Sequence, residues 1–394
     1  MVLPSDADAS GRRFGDAELG NLRAVIESGV LNCTRGTFVS ALEREFARRY
    51  GGDGWSCTAV TSGTAAIHCA LAALDLDIGD EVVTTSVTDM GAIVPILFCG
   101  AVPVFADIGA HTFNVNAASI EAALTPRTRA VIATHLFGAP CDMRAINALC
   151  RERGLWLLED AAQAPYATLD GVRMGLWGDV GCFSLQQGKH FSCGEGGLVI
   201  VRDEGLARRV RLFHDKAWGY GDARPDHYFA APNYRMTELA GAVALAQLDR
   251  VEGVVSDRQT SAAHFLERIA DLPGVRAQEK PAGAQSVYWK MTLSIEGADV
   301  REVGAHLKAH GIACAPRYVQ KPAFECQVLR DKATLGSSSF PIQNAVWPGR
   351  AELPSTYEAL SKMLVLPWNE NYTPEHVAFI ADALCAALEA ATNI

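Results

Sequence analysis

Residues 183–197 read Phe-Ser-Leu-Gln-Gln-Gly-Lys-His-Phe-Ser-Cys-Gly-Glu-Gly-Gly. A single lysine, Lys189, stands here with few other charges near it in sequence. The strand-like piece Cys182 to Leu185 precedes it. Three glycines, Gly194, Gly196 and Gly197, follow, and Leu198 to Val201 reads as another buried strand. A lysine among apolar neighbours has its ammonium form disfavoured, so a free amine becomes available near neutral pH. Such an amine condenses with carbonyl compounds, pyridoxal phosphate among them. The commonplace reading is a surface lysine between strands. A nucleotide phosphate loop fails outright, because Phe183 stands where the first glycine belongs and His190 follows the lysine.

Outward from this stretch, the chain alternates strands and helices. Glu81 to Val87, Val102 to Phe105, Arg129 to Thr134 and Leu155 to Glu159 read as strands, with helices over Asn116 to Leu124 and Met143 to Arg153. This alternation predicts an α/β fold with a mostly parallel central sheet flanked by helices. Ligands of such sheets lie beyond the carboxyl ends of the strands. Glu159-Asp160-Ala161-Ala162-Gln163 sits at one such end, where Asp160 either caps the next helix or faces a protonated ring nitrogen. Thr61-Ser62-Gly63-Thr64 leads into the Ala/Leu-rich run Ala65 to Leu74. Small and hydroxyl residues at a helix start form either an ordinary cap or a phosphate cup. No Gly-x-Gly-x-x-Gly follows the first strands, which disfavours a nicotinamide enzyme.

The flanks complete the plan. Residues 15–50 read as two amphipathic helices, with Leu42, Phe46 and Tyr50 at helical spacing. Beyond Asn233-Tyr234-Arg235-Met236, a long helix covers Leu239 to Val254 and a second Gln259 to Leu272. The strand Val287 to Ile295, the helix Val300 to His310, a loop-rich section to Trp347 and a last helix from Pro374 to Ala391 make up the remainder. The expected division is a large cofactor domain over residues 1–250 and a smaller C-terminal α/β domain over 251–394.

Composition narrows the classes. The chain of 394 residues is 49% hydrophobic and 20% charged, as in a folded enzyme-sized protein. A net charge of −10 argues against nucleic acid or an anionic membrane as partner. Eleven scattered cysteines without a Cys-x-x-Cys pair read as reduced thiols of a cytoplasmic protein, with no metal site. The longest apolar run, Ala92 to Ala106, is broken by Pro95, Gly100 and Pro103 and is too short to span a bilayer.

Taken together and in order, Thr61 to Ala66, Gly79-Asp80-Glu81-Val82, Thr134-His135-Leu136-Phe137-Gly138, Glu159 to Gln163, Gly178-Asp179, Lys189 to Gly197, Asn233 to Met236 and Leu364 to Pro367 closely resemble the DegT/StrS-type sugar and aminocyclitol aminotransferases. These are pyridoxal 5′-phosphate enzymes of the aspartate-aminotransferase-like fold type I. The resemblance implies that Lys189 carries the cofactor as a Schiff base and moves the proton. It places Asp160 on the pyridine nitrogen and Gln163 against the ring or its O3′. Ser62, Gly63, Thr64 and Ser184 would hold the phosphate, and Asn233 would reach it from the other subunit of a homodimer.

Asp89, within Ser86-Val87-Thr88-Asp89-Met90, aligns where many members have a ring-stacking aromatic. Either Met90 or another neighbour covers the ring, or Asp89 faces the substrate. His190 and Tyr318 are further substrate candidates. Some relatives replace the lysine by histidine and become dehydratases, whereas Lys189 stands at the family position. The implied reaction moves an amino group from glutamate or glutamine, through the pyridoxamine 5′-phosphate form, to a keto-cyclitol or keto-sugar nucleotide. The wording Gln186-Gln187-Gly188-Lys189 looks most like members acting on keto-inositols in antibiotic pathways. Dehydration, epimerisation or oxidation with the same cofactor, and a non-catalytic regulatory role, are the alternatives.

Overall fold

The apolar runs hydrogen-bond side by side. In the computed structural model, which describes residues 1–392, the strands in chain order are β1 (Ser56–Val60), β2 (Glu81–Thr85), β3 (Val102–Ala106), β4 (Thr128–Thr134), β5 (Trp156–Asp160), β6 (Thr168–Leu169), β7 (Val172–Arg173), β8 (Val180–Ser184), β9 (Gly197–Val201), β10 (Val275–Ala277), β11 (Ala284–Gln285), β12 (Lys290–Ile295), β13 (Ala315–Pro316) and β14 (Met363–Pro367). The α-helices are α1 (Asp16–Ser28), α2 (Phe38–Phe46), α3 (Gly63–Ala73), α4 (Met90–Phe98), α5 (Ala117–Ala123), α6 (Met143–Arg153), α7 (Glu204–Phe213), α8 (Glu238–Leu248), α9 (Val251–Arg268), α10 (Val300–Ala309), α11 (Gln327–Arg330), α12 (Pro354–Lys362) and α13 (Pro374–Thr392).

Seven strands form the main sheet in the order β1-β9-β8-β5-β4-β2-β3. From β8 to β3 all pairs are parallel, and β9 alone runs against both its neighbours. Side chains two apart share a face, so each strand feeds two cores. Val82, Ala130, Ile132 and Leu158 pack under α3 and α7. Val83, Val131, Ala133 and Leu157 pack with α2, α6 and the α8–α9 junction. A second sheet, β10-β12-β14-β13, is antiparallel and buries its face against α9, α10 and α13. A small third sheet joins β11, β6 and β7. Among the described residues no helix is long and apolar enough to cross a membrane.

Several elements differ from the expectation. The helix break after Asn233-Tyr234-Arg235-Met236 falls at Asp249–Arg250, not after Val254. Both residues keep right-handed backbone angles (φ −70°, ψ −18° and φ −105°, ψ −17°), so no glycine or proline marks the bend. Residues 90–98 form a helix with Pro95 inside it, apolar on every side because it is buried between α3 and the cluster of Phe105 and Phe324. The helix α7, capped by Asp203, was not anticipated. Neither was α12, whose cap is not local: Asp107 accepts from Ser355 N, Thr356 N and Thr356 Oγ1 across the fold. The strand expected from Val287 starts at Lys290, because Tyr288 takes a positive φ of 48° and turns the chain.

Candidate active site

Ser184 at the end of β8 faces Gly197 at the start of β9. Everything between them is therefore an excursion at one edge of the sheet, and it carries Lys189. The same edge holds Thr134, Asp160 and Cys182 in register on β4, β5 and β8. Gly197 also faces Val60, the last residue of β1. An added Cβ on Gly197 would lie 2.2 Å from Ser62 O, and one on Gly63 would lie 2.9 Å from Ser184 Cβ. Only glycine allows the turn into α3, the end of β8 and the start of β9 to meet this closely. Ser62, Gly63 and Ser184 are thus neighbours, although 120 residues separate them in sequence.

The start of α3 leaves amides free. Ser62 Oγ takes the Ala65 amide at 3.0 Å, and Ala66 N makes the first helical bond to Ser62 O. The amides of Gly63 and Thr64 precede that bond and point out at the positive end of the helix dipole. Ser184 is buried, and its Oγ accepts from Gln186 N at 3.3 Å.

Asp160 is 7% exposed. Its Oδ1 accepts from Ala162 N at 3.1 Å, and Thr134 Oγ1 lies 3.5 Å from Oδ2. Burial raises its carboxyl above the usual range, against the pull of the Ala162 amide and of Lys189. Lys189 is half-buried, and its amine lies 4.1 Å over the Trp289 ring. Burial lowers its pKa to about 8, with Asp160 and Asp89 opposing that fall. Each of these two groups is therefore uneasy in its charged form, and each is steadied by the other.

Beneath them lies a support that residue-by-residue reading missed. Glu159, wholly buried, accepts from the amides of Gly175, Trp177 and Gly178, each at 2.7 Å, and meets His135 Nε2 at 3.0 Å. His135 Nδ1 accepts from Cys141 N, so Nε2 carries the hydrogen. Four donors on one carboxylate leave no place for an amide group. Glu159→Gln, which turns a donor toward donors, should cost about 2–3 kcal/mol, read by chemical denaturation of the stripped protein. Equal stability would show that the network is dispensable.

The other candidates are more dispersed. Gln163 Oε1 accepts from Phe137 N at 2.6 Å, in the turn after β4. Asp89 is exposed and caps α4 through Gly91 N at 2.7 Å. Its charge still reaches Lys189, Asp160 and Tyr318. Met90 packs into the cluster around Ile93 and Phe324. Tyr318 is exposed, with its ring edge-on to Phe137 at 6.0 Å, and Phe137 stacks on Trp289. His190 is not brought to the open side: it is 1% exposed, its Nε2 bonded to Val287 O at 2.9 Å. Asn233 is exposed, and its Oδ1 accepts from Arg235 N. Thr237, not Asn233, caps the following helix. Trp289 carried no signal in the sequence, since it reads as part of a strand.

Known proteins resemble this chain in sequence and fold. The profile of the DegT/DnrJ/EryC1/StrS aminotransferase family matches residues 13–385. Over 275 residues the chain is 32% identical to the GDP-perosamine synthase of Vibrio cholerae, covering 70% of this chain and 74% of that one. It is 35% identical over 281 residues to the UDP-N-acetyl-3-dehydro-α-D-glucosamine 3-aminotransferase of Acidithiobacillus ferrooxidans, covering 71% and 73%. Among solved structures, S. venezuelae DesV in complex with a ketimine intermediate superposes with a TM-score of 0.84 at 28% identity, over 94% of this chain and 93% of that one. The 3-amino-5-hydroxybenzoic acid synthase gives 0.85 at 25% identity, over 96% and 98%. The chain belongs to the DegT/DnrJ/EryC1/StrS aminotransferase family.

Proposed function

We propose that this pyridoxal phosphate-dependent aminotransferase delivers an amino group to a ketone on a hydroxylated sugar ring, with a keto-sugar nucleotide as the acceptor class. The observation that carries the reading is the meeting, at one sheet edge, of the Lys189 amine, the buried Asp160 carboxylate and the open start of α3 beside Ser184. The names of the relatives support the acceptor class: one acts in GDP-perosamine synthesis and another on a UDP-linked keto-sugar. A keto-cyclitol acceptor has the wording of residues 186–189 in its favour and no support from those relatives.

The residues fit the cofactor. Asp160 is a buried carboxylate whose charge burial disfavours, a cost that a protonated ring nitrogen would offset. The amides of Gly63 and Thr64, with the hydroxyls of Ser62 and Ser184, offer donors to a phosphate at a helix start. Gln163 keeps its amide nitrogen for the ring face or O3′. Bound there, pyridoxal phosphate supplies a carbonyl that exchanges amino groups and a ring that withdraws electrons from the reacting carbon. Lys189 would hold the group through its amine, and as a free base its Nζ would take up and return a proton, a task suited to a base near pKa 8. Asp89 and Tyr318, at the open side, contact the substrate.

The lowered amine has a pH consequence. Only the unprotonated form attacks an aldehyde, so uptake of pyridoxal phosphate by the stripped protein should rise with pH and be half-maximal near 8, not near 10.5. Stopped-flow absorbance checks this, and a midpoint above 10 would contradict it.

We infer further that two copies share each site, with Asn233 of one reaching the phosphate of the other, because the cup beside α3 contributes no cation of its own. A two-fold pair completes both sites at once. Mixing inactive Lys189→Ala chains with chains crippled at Asn233 should restore activity, up to about a quarter of the sites for random exchange. No recovery despite proven exchange removes Asn233 from a shared site.

The acceptor is tested by loading the protein with pyridoxamine 5′-phosphate and adding keto-sugar nucleotides, keto-cyclitols and simple keto acids in turn. The reading expects the aldehyde absorbance to return with a keto-sugar nucleotide. Return with keto-cyclitols alone would overturn the acceptor class, and 2-oxoglutarate or its amide analogue identifies the donor.

A further inference from the structure

The lysine loop is closed at its base by a bridge between Gln186 and Gly194 and by a bond from Cys193 N to Leu185 O. Gln187 N bonds to Gly194 O, Lys189 N to Gln186 O, and Gly188 N to Gln186 Oε1. These bonds use amides and leave the carbonyls of residues 187, 188 and 189 to be satisfied elsewhere. All three are held by side chains from remote parts of the chain. Arg12 Nη1 donates to Lys189 O at 2.8 Å, and Arg12 Nη2 donates to Gln187 O. Trp289 Nε1 donates to the carbonyl between them, Gly188 O, at 2.7 Å. The same indole presents its face to the Lys189 amine at 4.1 Å. One ring therefore fixes the backbone beside the lysine and receives the end of its side chain.

Both holders are themselves anchored. The Arg12 side chain is 4% exposed and lies 3.8 Å from Asp6. Asp6 O accepts from Gln187 Nε2 at 3.0 Å, and Asp6 Oδ1 accepts from Asn369 Nδ2 at 2.6 Å. Asn369 also donates to Gly11 O, and a Cβ on Gly11 would lie 2.3 Å from Ser5 O, so the N-terminal segment is folded tightly on itself. Wholly buried Arg258 joins the two holders: it bonds Glu370 and Asp6, and its Nη1 donates to Trp289 O at 3.3 Å. Residues 5–12 thus form a strap between the lysine loop and the end of β14, whose next residues are Trp368 to Glu370.

We propose that Arg12 and Trp289 are positioning residues that clamp the three carbonyls of the lysine loop and so aim the Lys189 amine. A lysine has four rotatable bonds and loses much of its rotamer freedom when fixed. A glycine-containing turn cannot hold such a side chain to the few tenths of an ångström that chemistry demands. Arginine suits the task because its planar fork presents two donors in a fixed geometry, whereas a lysine ammonium is a compact point charge on a flexible stem. The proposal rests on Lys189 being the reactive amine.

The test uses the full chain, stripped of cofactor, with pyridoxal 5′-phosphate as probe. Borohydride quenches the mixture at set times, and peptide mapping reads the label on Lys189. Arg12→Lys and Trp289→Phe should each slow labelling about 10- to 100-fold. Hydrogen exchange of the 187–194 amides should quicken in both, while β4 and β5 stay as protected as in the parent. Guanidinium added to Arg12→Gly should restore part of the rate while leaving its melting temperature unchanged, which a loss through general destabilisation would not show. Unchanged labelling rates in both folded variants, with Lys189 labelled, overturn the clamp alone. Should Arg12→Lys fail to fold, Trp289→Phe and the guanidinium rescue decide the matter. Label on another residue of the parent protein overturns the reading of Lys189, and the clamp with it.

Discussion

Replacing Lys189 by alanine should lower amino transfer by about 10,000-fold or more, at the upper end of what one acid–base group contributes, and it removes the covalent hold on the cofactor besides. The fold should tolerate the change. The amine packs on the Trp289 ring, a contact of about 1–2 kcal/mol where it is withdrawn from water. Its loss is partly offset because a charge disfavoured by burial disappears with it. Thermal melts of the stripped proteins should therefore differ by only a few degrees, while the purified variant loses its yellow colour. Activity within tenfold of the parent would remove Lys189 from the chemistry. A collapsed melt would instead mark it as a structural residue.

Asp160→Asn should separate function from stability in the opposite direction. Removing a charge aimed at the reacting system should cut turnover about 100- to 1,000-fold. In the stripped protein the same carboxylate is a burden. Burial raises its folded pKa, so the folded state binds this proton more tightly than the unfolded chain does. The ionised form then costs stability at neutral pH, and that cost shrinks as pH falls below the raised folded value and is gone below the ordinary carboxylate range. The neutral asparagine carries no such cost. The stripped variant should consequently melt higher than the parent at pH 7, and the gap should close on acidification. A lower melt at pH 7 together with undiminished turnover would contradict both halves of the assignment.

Much of this was legible in the residues because local rules and the fold agree. The parallel strands announced themselves as short apolar runs between turn residues, and β4, β5 and β8 were found within a residue or two of their bounds. Lys189, Asp160 and Ser62-Gly63-Thr64 stood at strand ends and a helix start, where ligands of such sheets bind. What escaped depends on contacts between distant segments. The cap of α12 is Asp107, about 250 residues away in sequence, so nothing near Leu353 signalled a helix. The support of Asp160 by Glu159 comes from amides of residues 175–178, and a buried glutamate at a strand end looks the same as an exposed one in sequence. Nothing in the sequence around Arg12 signals that the fold lays it across the lysine loop. His190, by contrast, looked available beside the lysine, yet the turn buries it and its Nε2 bonds Val287 O.

The central claim is that the Lys189 amine holds the cofactor of an amino-transferring site. Reduction of the cofactor-loaded protein with borohydride, followed by digestion and sequencing of the fluorescent peptide, tests it in one step. A single pyridoxyl group is expected on Lys189, in the peptide containing Gln186-Gln187-Gly188. A label on any other lysine, or none in a protein that retains its bound cofactor, would contradict it.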